Sequence, residues 1–155
     1  MDTEVQLKKA YGYACFSKNT QPISDDLLTD FANAAIPQVA TTVVKSFVDT
    51  NNKKSARNRP SWNAMLEECE AEGIKMIVIP AISLLSYVTY DAIALVRDIK
   101  RKYGIDTYFL MENIYTGAEN ANEQLQMQAL LIEFEEAQKK EKRRLKRIFK
   151  ELTKE

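Results

Sequence analysis

Histidine is absent from this chain. Without an imidazole, histidine-based acid–base catalysis and zinc sites that need a histidine ligand are excluded. Cysteine is nearly absent as well. Cys15 falls in a segment that reads as a buried strand and Cys69 on the apolar stripe of a helix, so neither is placed for a disulfide or for closely spaced metal ligands. Glycine and proline number four each, which argues against low-complexity disorder. Long hydrophobic runs are lacking too. The most apolar stretch, 74–88, is interrupted by Lys75, Pro80, Ser83 and Ser86 and falls short of the roughly 20 residues a membrane helix needs. Residues 5–9 are short and charged, unlike a secretory signal. The expectation is a soluble, intracellular, cytoplasmic protein with no metal, no membrane contact and no small-molecule cofactor.

The chain has 155 residues, 45% of them hydrophobic, enough for one core with an appendage. Net charge is zero but unevenly spread. Residues 139–155 hold nine Lys/Arg against three Glu, a surplus of +6, so the rest of the chain carries −6. The neutral total hides a basic tail on an acidic body.

Segments 8–16 and 41–49 are rich in aromatic and β-branched residues, 75–81 is a nearly continuous apolar run, and 106–111 alternates; these are four strand candidates. Between them, 24–35, 60–72 and 89–103 have helical character. The second helix shows Trp62, Met65, Leu66 and Cys69 on one face, with Pro60 near its start and Gly73 past its end. The third shows Ala92, Leu95, Val96, Ile99 and Tyr103, with Thr89 as expected N-cap and Gly104 as stop. Strands alternating with helices imply an α/β fold with a mainly parallel sheet covered on both faces. From about 119 onward there is no Gly or Pro, and one long helix is the economical reading. Its first half carries an apolar stripe, Met127, Leu130, Leu131, Phe134 and Ala137, on a segment longer than the body can cover. The expected organisation is a body over 1–118 and a long helix over 119–155.

The segment Tyr13-Ala14-Cys15-Phe16-Ser17 puts a serine hydroxyl just past the first strand, with Gln21 four residues on. Together with Phe47-Val48-Asp49, the pair Arg59-Pro60 and Ile82-Ser83-Leu84-Leu85-Ser86-Tyr87, it resembles the N-terminal catalytic domain of the serine recombinases, the resolvase and invertase family. The resemblance covers nearly the whole chain and implies a three-layer domain with a four- to five-stranded sheet. It also implies site-specific recombination, as in DNA integration and transposon resolution, by a bacterial or phage-borne protein. In such an enzyme a serine attacks a DNA phosphodiester and holds the broken strand as a 5′-phosphoserine. By position Ser17 matches that nucleophile, and Tyr13, Gln21, Asp49 and Arg59 match its companions. The resemblance further implies that the first half of the long helix pairs two subunits, through Met127, Leu130, Leu131 and Phe134. The second half would cross DNA, through Lys139, Lys140, Lys142, Arg143, Arg144, Lys146 and Arg147. The expected partners are DNA and a second copy of the chain, as a dimer or higher oligomer.

The family pattern reads Tyr-x-Arg-x-Ser and Ser/Asp-Arg-x-x-Arg, and here three of its arginines fall on Cys15, Leu84 and Tyr87. A phosphoryl-transfer transition state spreads negative charge over its oxygens, and without a metal fixed cationic donors must meet it. Arginine suits this because its planar fork stays charged and donates bidentately. Losing one such donor typically costs about 3 kcal/mol, so the chain is expected to be impaired in catalysis. The family glutamine after Ser24 falls on Leu28, and its acid on the long helix falls on Gln138, followed by Lys139. Arg59 is the one matched active-site arginine, to be read either as a solvated residue at a helix start or as a phosphate contact. Lys18, Lys53, Lys54 and Arg57 are to be read either as cations that reach a phosphate in place of the missing arginines or, the favoured reading, as solvated loop charges. A non-catalytic, DNA-associated oligomerisation module derived from a recombinase is the alternative. A flavodoxin-like binding domain is disfavoured, since no glycine-rich phosphate loop follows the first strand. In the family, sequence readout comes from a further C-terminal module. The chain is therefore either part of a longer recombinase or a domain that does not choose a site by itself.

Overall fold

The computed structural model describes residues 8–16, 24–35, 41–50 and 55–154. Strands β1 (Lys8–Phe16), β2 (Thr41–Thr50), β3 (Met76–Ile79) and β4 (Asp106–Phe109) alternate with helices α1 (Asp25–Ala35), α2 (Pro60–Glu72) and α3 (Thr89–Tyr103). A two-residue strand, β5 (Ile114–Tyr115), precedes the long helix α4 (Ala121–Leu152). The sheet order is β2-β1-β3-β4-β5, with the first four strands parallel and β5 antiparallel to β4. This is the expected α/β architecture.

The sequence explains the layers. All four residues of β3 are buried, as a central parallel strand covered on both faces requires. Trp62, Met65, Leu66 and Cys69 of α2 and the α3 face from Ala92 to Ile99 pack with Leu125 and Ala129 of α4 in one core. Ala32 of α1 joins Ala10, Val43, Met76 and Val78 in a second cluster. Both α2 and α3 end on a left-handed glycine, Gly73 at φ 70° and Gly104 at φ 68°, a conformation other residues adopt at a penalty.

Two local expectations are corrected. Thr89 is the first helical residue of α3 rather than its cap. The N-cap is Val88, held extended by a hydrogen bond from its N–H to Ser86 Oγ at 3.1 Å. Strand β4 stops at Phe109 rather than at Met111, because the chain turns into β5 through Asn113 at φ 54°.

Gly12 in β1 permits a close approach. A Cβ there would lie 2.5 Å from Oγ of Ser46 on β2, a buried hydroxyl that shares a 2.7 Å hydrogen bond with Thr29 of α1. Gly12→Ala is expected to destabilise the fold by about 1–3 kcal/mol, the usual range for overpacking. Adding Ser46→Ala should recover much of that loss in a urea titration. An unchanged midpoint for Gly12→Ala would contradict the close packing.

α4 is 32 residues long, about 48 Å at 1.5 Å per residue. Its buried residues are Ala121, Leu125 and Ala129, and every residue of 133–154 is exposed. The helix therefore projects from the body.

Candidate active site

In a parallel sheet the carboxyl ends of the strands face one rim, where functional groups collect. At that rim the structure brings together three of the expected site residues. Tyr13 of β1 donates its hydroxyl to Asp49 Oδ2 at 2.9 Å. Nη1 of Arg59, the residue that caps α2, donates to the Tyr13 hydroxyl at 3.3 Å. All three side chains are buried. Burial, the largest influence, pushes the Tyr13 phenol above its ordinary value, and neighbouring Asp49 adds to this while Arg59 opposes it. Tyr13 thus remains a protonated donor to the carboxylate.

Asp49 has a second task. Its Oδ1 accepts from the Ser61 N–H at 2.9 Å and its Oδ2 from the Trp62 N–H at 3.0 Å. The residue at the N-cap of α2, Arg59, offers no side-chain cap, so a carboxylate from the end of β2 satisfies the first-turn donors instead. Negative charge at a helix N-terminus is also favoured by the helix dipole. Trp62 then packs edge-on against Tyr13, with ring centroids 4.9 Å apart.

Arg59 is neither solvated nor at the surface: it is 2% exposed. Besides Tyr13, its Nη1 donates to the backbone carbonyl of Leu84. The Ala56 N–H donates to the Leu85 carbonyl at 2.8 Å, and Ser55 forms a β-bridge with Ser86. The segments following β2 and β3 are therefore clamped together, with Arg59 as the central cation. The carbonyl of Leu84 and the indole of Trp62 are partners that the sequence motif does not name. Trp62 was legible as an apolar-face residue of α2; a backbone carbonyl leaves no signal in the sequence.

Of the positions where the family pattern has arginine, Cys15 and Leu84 are half-buried against the core, whereas Tyr87 is 63% exposed. Arg57 is not a loose loop charge: Nη2 lies 2.7 Å from Asp98 and Nε 3.6 Å from Asp91, both on α3. Asp91 is held below the usual carboxylate range, chiefly by a hydrogen bond from Ser55, with Ser86 and Arg57 contributing. Ser17, Lys18, Gln21, Lys53 and Lys54 lie outside the described residues. Met127, Leu130, Leu131 and Phe134 are exposed on α4, and so are Lys139, Lys140, Lys142, Arg143, Arg144, Lys146 and Arg147 further along it.

The family described as "Resolvase, N terminal domain" matches residues 10–151. The chain belongs to the resolvase family. Among solved structures, this resolvase-family domain is similar to the N-terminal catalytic domain of TP901-1 integrase. The two are 24% identical with a TM-score of 0.62, over 84% of this chain and 98% of the other. It is also similar to a resolvase family site-specific recombinase from Streptococcus pneumoniae, at 15% identity and a TM-score of 0.51, over 92% of this chain and 97% of the other. These likenesses establish the fold. No curated protein matches the chain. For a resolvase-family domain, Tyr13, Asp49 and Arg59 thus form a buried brace at the rim of the sheet beyond which Ser17 follows in sequence. Among the described residues, no helix is long and apolar enough to cross a membrane.

Proposed function

We propose that this chain serves site-specific DNA recombination as a serine-recombinase domain that associates with DNA and with a second subunit but is impaired in strand cleavage. One observation carries the reading: Arg59, the one matched active-site arginine, is buried and engaged by Tyr13 and the Leu84 carbonyl, while Cys15, Leu84 and Tyr87 stand where further arginines would meet a phosphate. Tyr13, Asp49 and Arg59 then act as a buried scaffold at the rim of the sheet rather than as phosphate contacts. A domain that needs no cofactor and works on DNA in the cytoplasm is consistent with this.

The partner surfaces lie on α4. Its exposed Lys/Arg residues from Lys139 to Arg147 face outward on a projecting helix and would meet phosphates, which carry charge rather than sequence information. Met127, Leu130, Leu131 and Phe134 would meet a second subunit, since an exposed apolar stripe of this kind marks association.

Binding to short duplexes of unrelated sequence, followed by fluorescence anisotropy at several salt concentrations, tests the DNA-associating part. Neutralising about four phosphates gives a log–log slope near −3.6, from about 0.9 per phosphate. Changing Lys139, Arg143, Lys146 and Arg147 to Gln should weaken binding equally for all duplexes and flatten the slope. A slope that survives intact would place the DNA surface elsewhere. In the same preparations a supercoiled plasmid should be bound without being nicked or relaxed.

A further inference from the structure

Where the first turns of α4 pass the C-terminal half of α3, the structure leaves a cleft of about 530 Å3 open to solvent. A space of that size takes a small molecule rather than a single ion. Arg97, Lys100 and Arg101 of α3 line one wall, and Asn122 and Gln126 of α4 line the other. Leu125, a core residue, lies between them.

Charge identifies the class of occupant. Arg97, Lys100 and Arg101 fall at i, i+3 and i+4, so three cations share one face of α3, where like charges repel. Lys100 is satisfied: its Nζ lies 3.0 Å from Asp106 Oδ1 and donates to the Thr116 carbonyl at 2.7 Å. Arg101 has only a share of Asp98, whose carboxylate lies 2.9 Å from it and 2.7 Å from Arg57. Arg97 has no hydrogen-bond or ion-pair partner among the described residues. The neighbouring helix has the means to neutralise them, since residues 119–137 contain five Glu and no Lys or Arg. Yet the polar side chains it presents to the cleft are the amides of Asn122 and Gln126, and among the described residues no carboxylate lines the space. The surplus positive charge is left for an anion from outside.

We propose that this cleft binds a small phosphorylated molecule, with its phosphate held by Arg97 and Arg101 and by amide donors from Asn122 and Gln126. A planar guanidinium matches two phosphate oxygens at once, and a side-chain amide donates without adding charge. The site is separate from the surface assigned to DNA. Asn122 stands about 26 Å from Lys139 along α4 at 1.5 Å per residue. A molecule seated in the cleft touches both α3 and the first turns of α4. It therefore stiffens the attachment of a projecting helix whose buried residues are Ala121, Leu125 and Ala129.

Inorganic pyrophosphate is the probe, titrated into the full chain against sodium chloride of equal ionic strength. At ten times its dissociation constant the melting temperature should rise by about 3–5 °C beyond any rise in chloride. Arg97→Gln and Arg101→Gln should each weaken binding about tenfold in calorimetry. Arg97 has no partner to lose, so unliganded Arg97→Gln should melt like the wild type and report binding alone. Amide hydrogen exchange should slow on pyrophosphate binding at 116–126. The basic stretch 139–147 is the competing site for any polyanion. Protection confined to 139–147, binding that survives both substitutions, or a melting temperature no higher than in chloride would each overturn the assignment. A short DNA duplex separates a free phosphorylated molecule from backbone phosphates: its affinity should be the same for the wild type and for Arg97→Gln. A duplex affinity that falls in Arg97→Gln would give the cleft to DNA and overturn the small-molecule reading.

Discussion

Asp49→Ala is expected to destabilise the protein by about 4 kcal/mol, with Tyr13 left as a buried hydroxyl without its acceptor. Three donors converge on this carboxylate: the Tyr13 hydroxyl and the N–H groups of Ser61 and Trp62. Losing a cap costs about 0.5–2 kcal/mol, and stranding buried donors of a charged acceptor costs about 1–3 kcal/mol for each group. These losses overlap, because all three groups share one residue, so the total falls short of their sum. With a urea slope of about 1–3 kcal/mol per molar, the midpoint should drop by more than about 1 M. Asp49→Asn keeps an acceptor and should lose roughly half as much. If Asp49→Ala unfolded with the wild-type midpoint, Asp49 would not be the cap of α2, and its place in the motif would need a purely chemical reason.

Restoring the family arginines should divide sharply by position. Tyr87 is largely exposed, so Tyr87→Arg should change stability by less than about 0.5 kcal/mol. Cys15 and Leu84 pack against the core, and a charge introduced there without a partner meets a desolvation penalty of several kcal/mol. Leu84→Arg carries an added conflict, because its guanidinium would enter the setting where Arg59 already holds the Leu84 carbonyl. The expected loss for Leu84→Arg is about 3 kcal/mol or more, visible as a fall in melting temperature. A Leu84→Arg protein as stable as the wild type would mean that the position still accommodates an active-site cation.

The fold was legible where local patterns are strong. The apolar face of α2 gives its observed bounds because Pro60 and Gly73 fix the backbone at its two ends, and Gly104 does the same for the end of α3. β5 was invisible for the opposite reason: two residues have no period to read. Thr89 reads as a cap by residue type, but Ser86 holds Val88 in that place, an interaction outside the helix itself. On α4 the conspicuous stripe from Met127 to Phe134 is exposed. The face that docks on the body is marked by Ala121, Leu125 and Ala129, two of them alanines too small to stand out in the sequence.

The candidate site was legible in part, and for the same physical reason. The motif singles out Tyr13, Asp49 and Arg59, and these meet. What the sequence does not reveal is why they meet: Asp49 caps a helix that starts eleven residues later, and Arg59 is closed over by a carbonyl from the segment after β3. A charged residue at a helix start reads as solvated until tertiary contacts bury it.

The central claim is that a serine-recombinase fold is retained here with its phosphate-stabilising cations largely replaced. The most direct measurement joins the chain to a DNA-binding module of known site, so that target choice is no longer a variable, and places two such sites on a supercoiled plasmid. After incubation and denaturation, protein covalently attached to 5′ ends is quantified for the wild type and for Ser17→Ala. Since each missing donor typically costs about a hundredfold or more in rate, the two should be indistinguishable. A robust adduct in the wild type that disappears in Ser17→Ala would show that the chain cleaves DNA with the residues it has, and would contradict the account.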